Sequence, residues 1–226
     1  MANHLDLEEQ EQLDQLKHFW NTWGTLISAI ALVVFGSLAA WNGYQYWQKR
    51  QAVQAAALFD AVDAAVAAKD SARIQQALGD LQSGYGRTAQ AGLASLQAAR
   101  ALVTEGKLDE AKAALQWTAD NASDKGHQAL ARLRLSAVLV QQQAYDDALK
   151  QLSASVPPEF DALVADRQGD IYALQNKKAE AIAAYEKAYK RLEEGLDYRR
   201  LVEAKLNALG VQPSVVAAAS AQGATQ

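Results

Sequence analysis

A long apolar segment near the N-terminus dominates the hydrophobic pattern of the chain. No Asp, Glu, Lys or Arg occurs anywhere from His18 to Gln48. A helix that crosses the ~30 Å hydrocarbon core of a bilayer needs about 20 mostly apolar residues, and this segment is longer than that. The pattern therefore predicts one transmembrane helix over residues 23–47, which follows a short acidic tail over residues 1–22.

Aromatic residues mark both ends of this segment. Trp20 and Trp23 stand at its beginning, and Trp41 and Trp47 stand at its end. Such a membrane-interface belt is typical of a helix that spans lipid. The alternative is a cleavable signal sequence, because Ser37-Leu38-Ala39 has the small residues of a cleavage site. A signal sequence begins with basic residues, however, whereas the residues before this segment are acidic.

Beyond Arg50 the apolar residues recur with a helical period almost without interruption. The links between the predicted helices are short, so consecutive helices should lie antiparallel. The pattern predicts an all-α domain over residues 48–210 and a disordered, Ala- and Ser-rich tail over residues 211–226. The predicted helices cover residues 50–69, 71–82, 87–104, 107–119, 126–142, 144–153, 160–175, 178–194 and 196–208.

Three segments of this domain repeat a pattern that has a small residue in the second helix of a pair. The aligned alanines are Ala111, Ala148 and Ala181, which follow one another at similar intervals. A small residue there lets the two helices of a pair approach closely. In the third segment the pattern also includes Gly169, Tyr172, Tyr185 and Ala188.

These residues resemble the tetratricopeptide repeat (TPR), which implies an α-solenoid of antiparallel hairpins. The expected fold class is thus all-α, with a single N-terminal transmembrane helix and a TPR-like solenoid. A generic array of helical hairpins without TPR ancestry is the alternative. The resemblance further implies that the first helix of each pair lines a concave face.

The concave positions implied by the TPR resemblance are mostly apolar. We expect them to bind unfolded or extended polypeptide, unless the predicted helix over residues 196–208 packs into the groove and makes it core. The candidate binding residues are Leu93, Leu96, Leu130, Leu133, Val140 and Leu163.

The charges of the chain are balanced outside the segment from Met1 to Lys17. That segment holds five acids and one base, which accounts for the whole net charge of −4. Nucleic-acid binding requires an excess of Lys and Arg, so we expect no nucleic-acid partner.

No pattern in the sequence is typical of an enzyme. Cysteine is absent, which excludes thiolate catalysis and cysteine-ligated zinc. His4, His18 and His127 have no partner at metal-ligand spacing, and no phosphate- or dinucleotide-binding glycine motif occurs. We expect no catalytic residue, no metal and no cofactor.

The layout of tail, span and repeats resembles the YfgM-type ancillary subunits of the bacterial Sec translocon over most of the chain. The segments that carry this likeness run from Tyr85 to Ala94 and from Arg167 to Tyr172. The resemblance implies a single-pass inner-membrane protein with a cytoplasmic N-terminus and a periplasmic repeat domain. It also implies that SecYEG, the periplasmic chaperone PpiD and translocating polypeptides are the partners.

Two further expectations remain open from the sequence. The basic residues Lys49 and Arg50, set against Lys17, favour the opposite orientation by the positive-inside rule. The alternative function is a membrane-tethered TPR adaptor for another cell-envelope complex, or a stress-response regulator that acts through the cytoplasmic tail.

Overall fold

The computed structural model describes residues 7–213, which are all-α, and the predicted fold class is confirmed. Of the predicted terminal tails, residues 1–6 and 214–226 lie outside the described part of the chain. The structure also contains a short 3-10 helix, Pro158–Phe160. The described α-helices are α1 Leu7–Ala67, α2 Ser71–Tyr85, α3 Ala89–Thr104, α4 Leu108–Asn121, α5 Lys125–Gln141, α6 Tyr145–Leu152, α7 Asp161–Leu174, α8 Lys178–Arg191 and α9 Asp197–Ala208.

Two helices run further than the hydrophobic pattern predicts. Helix α1 is continuous from Leu7, although the pattern placed a separate helix from residue 50. Helix α2 passes through Ser83 and Gly84, where a break was predicted. A glycine inside a helix costs only about 1 kcal/mol. The next residue, Tyr85, packs against the core, and its hydroxyl donates to Gln54 Oε1 at 3.2 Å, which favours the extra turn.

The described chain divides into two units after residue 51. Residues 7–51 of α1 form the first unit and include the predicted span. Its apolar window has a mean hydropathy of 1.9, and only 6% of that window is buried. Trp20, Trp23, Trp41 and Trp47 are each at least half exposed. A core helix of a soluble protein would be mostly buried, so this helix has the length and exposure of one that lies in lipid.

The second unit, residues 52–213, is built on one recurring turn. In each occurrence a residue with left-handed backbone ends a helix, and the next N–H donates to the carbonyl five positions earlier. This is the Schellman arrangement, which satisfies the last carbonyls of a helix. The left-handed residues follow one another at nearly equal intervals and are Lys69, Gly106, Gln143, Asn176 and Gly210.

The recurring turns define four hairpins and the first helix of a fifth. The first helices are residues 52–67 of α1, then α3, α5, α7 and α9; the second helices are α2, α4, α6 and α8. The sequence pattern identified only three of these pairs. The first pair lacks the repeated alanine pattern, and only its turn geometry shows that it belongs to the series.

Small residues let the two helices approach closely in the second, third and fourth hairpins. The residues that are completely buried include Ala111, Ala148, Ala181 and Ala188. Tyr172 is half-buried and packs against an apolar cluster that contains Ala181, Tyr185 and Ala188. The helices α7 and α8 are tightly packed at Gly169, where an added Cβ would lie 2.5 Å from the ring of Tyr185. No side chain larger than hydrogen fits there without movement of the ring.

We predict that Gly169→Ala destabilises the second unit by about 1–2 kcal/mol, because overpacking a filled site outweighs the better helix propensity of alanine. The measurement is the urea midpoint of full-length protein in detergent, followed by circular dichroism.

The matched control is Gly79→Ala, since Gly79 is also inside a helix but an added Cβ there meets nothing within 4 Å. That variant should be neutral or gain about 0.5 kcal/mol. Equal effects of the two substitutions would contradict the proposed close packing at Gly169.

Candidate functional site

Within residues 11–213 no group of three or more His, Asp or Glu side chains is arranged to hold a metal ion. The candidate functional surface is the exposed side of the first helices, where the predicted binding residues lie. Helix α3 contacts α5, and α5 contacts α7, so these helices form a continuous surface.

The recurring turn gives each residue on this surface a repeat position. Positions on α3, α5 and α7 are equivalent when they lie the same number of residues before the left-handed residue of the turn that follows. At three such positions all three helices have an exposed or half-exposed side chain, and we call these residues the first-helix surface. It consists of Leu93, Leu130 and Leu163, then Gln97, Arg134 and Arg167, then Arg100, Ala137 and Asp170.

The apolar residues predicted to bind polypeptide differ in their accessibility. Leu93 is 45% exposed, whereas Leu96 is only 4% exposed and belongs to the core. The others, Leu130, Leu133, Val140 and Leu163, are half-buried, and the first three of these pack against the core. Two further exposed apolar side chains, Val103 and Leu174, lie at the C-terminal ends of α3 and α7.

Two arginines of the first-helix surface, Arg134 and Arg167, were not among the concave positions predicted from the sequence. Arg134 and Arg167 occupy the same repeat position, and they are separated along the chain by the same interval as Ala148 and Ala181. Extending the alanine register to the first helices would have found them. Arg134 joins two first helices, because its Nη1 donates to the carbonyl oxygen of Leu96 at 3.2 Å.

Helix α9 covers one end of the first-helix surface. Lys205 Nζ lies 2.7 Å from Oδ1 of Asp166 and 2.7 Å from Oδ1 of Asp170 on α7. The hydroxyl of Tyr198 also donates to Asp166, at 2.6 Å. The predicted helix over residues 196–208 therefore exists, but it continues the array as the first helix of a fifth pair. It packs beside α7 and α8 at the end of the surface.

The contact between α7 and α9 is a buried polar cluster. Asp166 is 3% exposed, and the hydroxyl of Tyr185 donates to Asp170 at 2.9 Å. Burial is the main cause that raises the pKa of Tyr185 and the pKa of Tyr198 well above the ordinary value of a tyrosine. The second cause is a hydrogen bond, to Asp170 for Tyr185 and to Asp166 for Tyr198. Both tyrosines therefore remain protonated donors, and together with Lys205 they satisfy the two carboxylates.

We predict that Lys205→Met destabilises the second unit by roughly 2 kcal/mol, because it leaves a buried carboxylate without its cation. Trypsin should then cleave after Arg199 and Arg200 faster than in the wild type, since α9 would detach more often. Urea unfolding and a trypsin time course provide the two measurements.

The control is Lys187→Met on α8, an exposed lysine without an ion pair among the described residues. Its stability and cleavage pattern should match the wild type. Unchanged trypsin cleavage in Lys205→Met would show that the cluster does not hold α9.

Comparison with known proteins assigns this architecture to a class. Residues 17–211 match the family described as tetratricopeptide repeat-like domain. A relative from Neisseria gonorrhoeae is 36% identical over 92% of this chain and 100% of its own length. Relatives from Haemophilus influenzae and Escherichia coli are each 28% identical over 80% of this chain, covering 89% and 87% of their own lengths. All three are named ancillary SecYEG translocon subunit, and this chain belongs to that family, the YfgM type.

Proposed function

We propose that this protein is an ancillary subunit of the SecYEG translocon in the bacterial inner membrane. The observation that carries the proposal is the likeness to the Neisseria gonorrhoeae relative over the whole length of that relative. The likeness therefore includes the apolar helix as well as the helical array. An accessory protein of a membrane channel needs a membrane anchor and a surface for other polypeptides, and the two units supply one of each.

The proposed mode of action is binding without bond chemistry. Leu93, Val103 and Leu174 expose apolar side chains beside polar and charged neighbours on first helices. An emerging secretory chain is extended and exposes apolar residues, so it is complementary to such a surface. We propose that the first-helix surface holds such chains transiently and passes them to periplasmic chaperones, with PpiD as the expected acceptor.

The proposed orientation has a cytoplasmic N-terminus and a periplasmic array, as the family resemblance implies. The flanking charges argue for the reverse, with one base before the span and two directly after it. Long domains are translocated largely regardless of their charge, so this difference does not decide the orientation.

Protease accessibility in spheroplasts tests the orientation. A C-terminal epitope tag on the full-length protein should be removed by added protease while a cytoplasmic marker protein stays intact. If the tag survives until the membrane is permeabilised, the proposed orientation is wrong.

Two measurements test the function. SecY, SecE and SecG should co-purify with the full-length protein from mild detergent, and not with an unrelated single-span protein that carries the same tag. A stalled secretory chain should crosslink to the wild type, and several-fold less to Leu93→Asp, because a charge on the exposed apolar position opposes docking.

The control for the second measurement is Val53→Asp. Val53 is 72% exposed on the first helix of the first hairpin, which is not part of the first-helix surface defined on α3, α5 and α7, so its substitution should leave crosslinking unchanged. Helicity of all variants is checked by circular dichroism. Recovery of a different envelope complex, with SecYEG absent, would replace this proposal with the adaptor alternative.

A further inference from the structure

Two arginines on neighbouring first helices stand close together. Arg134 on α5 reaches the carbonyl of Leu96 on α3, and Arg100 lies one helical turn beyond Leu96. Side chains four positions apart project from the same side of a helix. The guanidinium groups of Arg100 and Arg134 are therefore directed to the same stretch of the first-helix surface.

Two other arginines on first helices lie close to a carboxylate. Arg167, at the repeat position of Arg134, has Asp170 at 3.7 Å, and on α9 Arg200 has Asp197 at 3.6 Å. The residue equivalent to Asp170 in α5 is Ala137. In the described part of the chain, neither Arg100 nor Arg134 forms an ion pair with a carboxylate.

The environment of Arg134 makes the absence of an anionic partner energetically unfavourable. Its side chain is half-buried, and its one side-chain hydrogen bond in the described chain goes to a neutral carbonyl. Burial, and then the positive charge of Arg100, lower the pKa of Arg134. A desolvated cation beside a second cation is unfavourable until an anion joins them. A carboxylate that contacted both guanidinium groups would satisfy this requirement with charge-assisted hydrogen bonds.

Apolar side chains flank the arginines in both directions along α3. Leu93 lies two turns before Arg100 and is 45% exposed, and Val103 lies about one turn after it and is 36% exposed. A bound segment can thus contact apolar residues on both sides of the charge. A chain terminus would leave one of these flanks without a partner.

We propose that Arg100 and Arg134 form a binding site for an acidic side chain inside an extended, otherwise apolar polypeptide segment. The proposal rests on the proposed function, since it names the chemical feature of a polypeptide that the first-helix surface would select. The apolar flanks provide contact area, and the arginines set the position of the segment along the surface.

Fluorescence anisotropy with three peptides tests the site on the full-length protein in detergent. The peptides have equal length, and each carries a neutral dye and leucines on both sides of a central position. The first has glutamate at the centre and blocked termini, the second has glutamine there and blocked termini, and the third has glutamine and a free C-terminal carboxylate. The glutamate peptide should bind about tenfold more tightly than the blocked glutamine peptide.

Arg134→Gln and Arg100→Gln should each reduce this preference to about twofold or less, while the affinity for the blocked glutamine peptide stays the same. Arg100 is exposed and its side chain makes no hydrogen bond within the described residues, so its substitution tests the site even if Arg134→Gln impairs folding. Lys187→Gln on α8 removes one positive charge elsewhere and should keep the full preference. Raising the salt concentration from roughly 0.05 M to roughly 0.5 M should reduce the ratio of the affinities for the glutamate peptide and the blocked glutamine peptide, because salt screens the charges.

Each contrary outcome has a separate meaning. Equal binding of the two blocked peptides overturns the acidic-side-chain site and leaves the proposed polypeptide binding intact. Tight binding of the free-carboxylate peptide alone assigns the arginines to chain ends, which also overturns the proposal. Absence of binding by all three peptides overturns both this site and the proposed mode of action.

Discussion

The close approach of two helices within each hairpin is the constraint on which the rest of the structure depends. In the second, third and fourth hairpins residues without bulk allow it, namely Ala111, Ala148 and Ala181 on the second helices and Gly169 on α7. It also requires a tight reversal of the chain, which the recurring left-handed residue provides. Because the turn recurs at nearly the same interval, successive first helices have the same register, and the array follows from nearest-neighbour packing.

The same register arranges the side chains on the first-helix surface. Residues at equivalent repeat positions form rows across successive helices, so charges distant in sequence become neighbours. At the α9 end, Lys205 forms ion pairs with both Asp166 and Asp170, so these carboxylates are satisfied by internal contacts. In the middle of the array, Arg100 and Arg134 have no such partner among the described residues. The array therefore has a structural end, and its central region is where we propose that a ligand binds.

The apolar N-terminal helix obeys a different physical rule. Its backbone is satisfied internally, and its side chains are exposed along the predicted span. Such a helix is stable where the surroundings are as apolar as its side chains, which is the condition inside a bilayer. The anchor therefore needs no tertiary partner for its stability, whereas no single hairpin of the array can bury its apolar face alone.

The sequence by itself determined the anchor, the all-α class and most helix boundaries, because these depend on local periodicity, on aromatic belts and on Gly and Pro. It also identified the alanines of three hairpins, since close packing restricts residue size at one position. Only the tertiary structure decided that Lys69 belongs to the same series of turns and that Leu96 is core. Likewise only the structure brought Arg134 beside α3 and Lys205 beside Asp166, because these contacts join residues far apart in the chain and leave no local pattern.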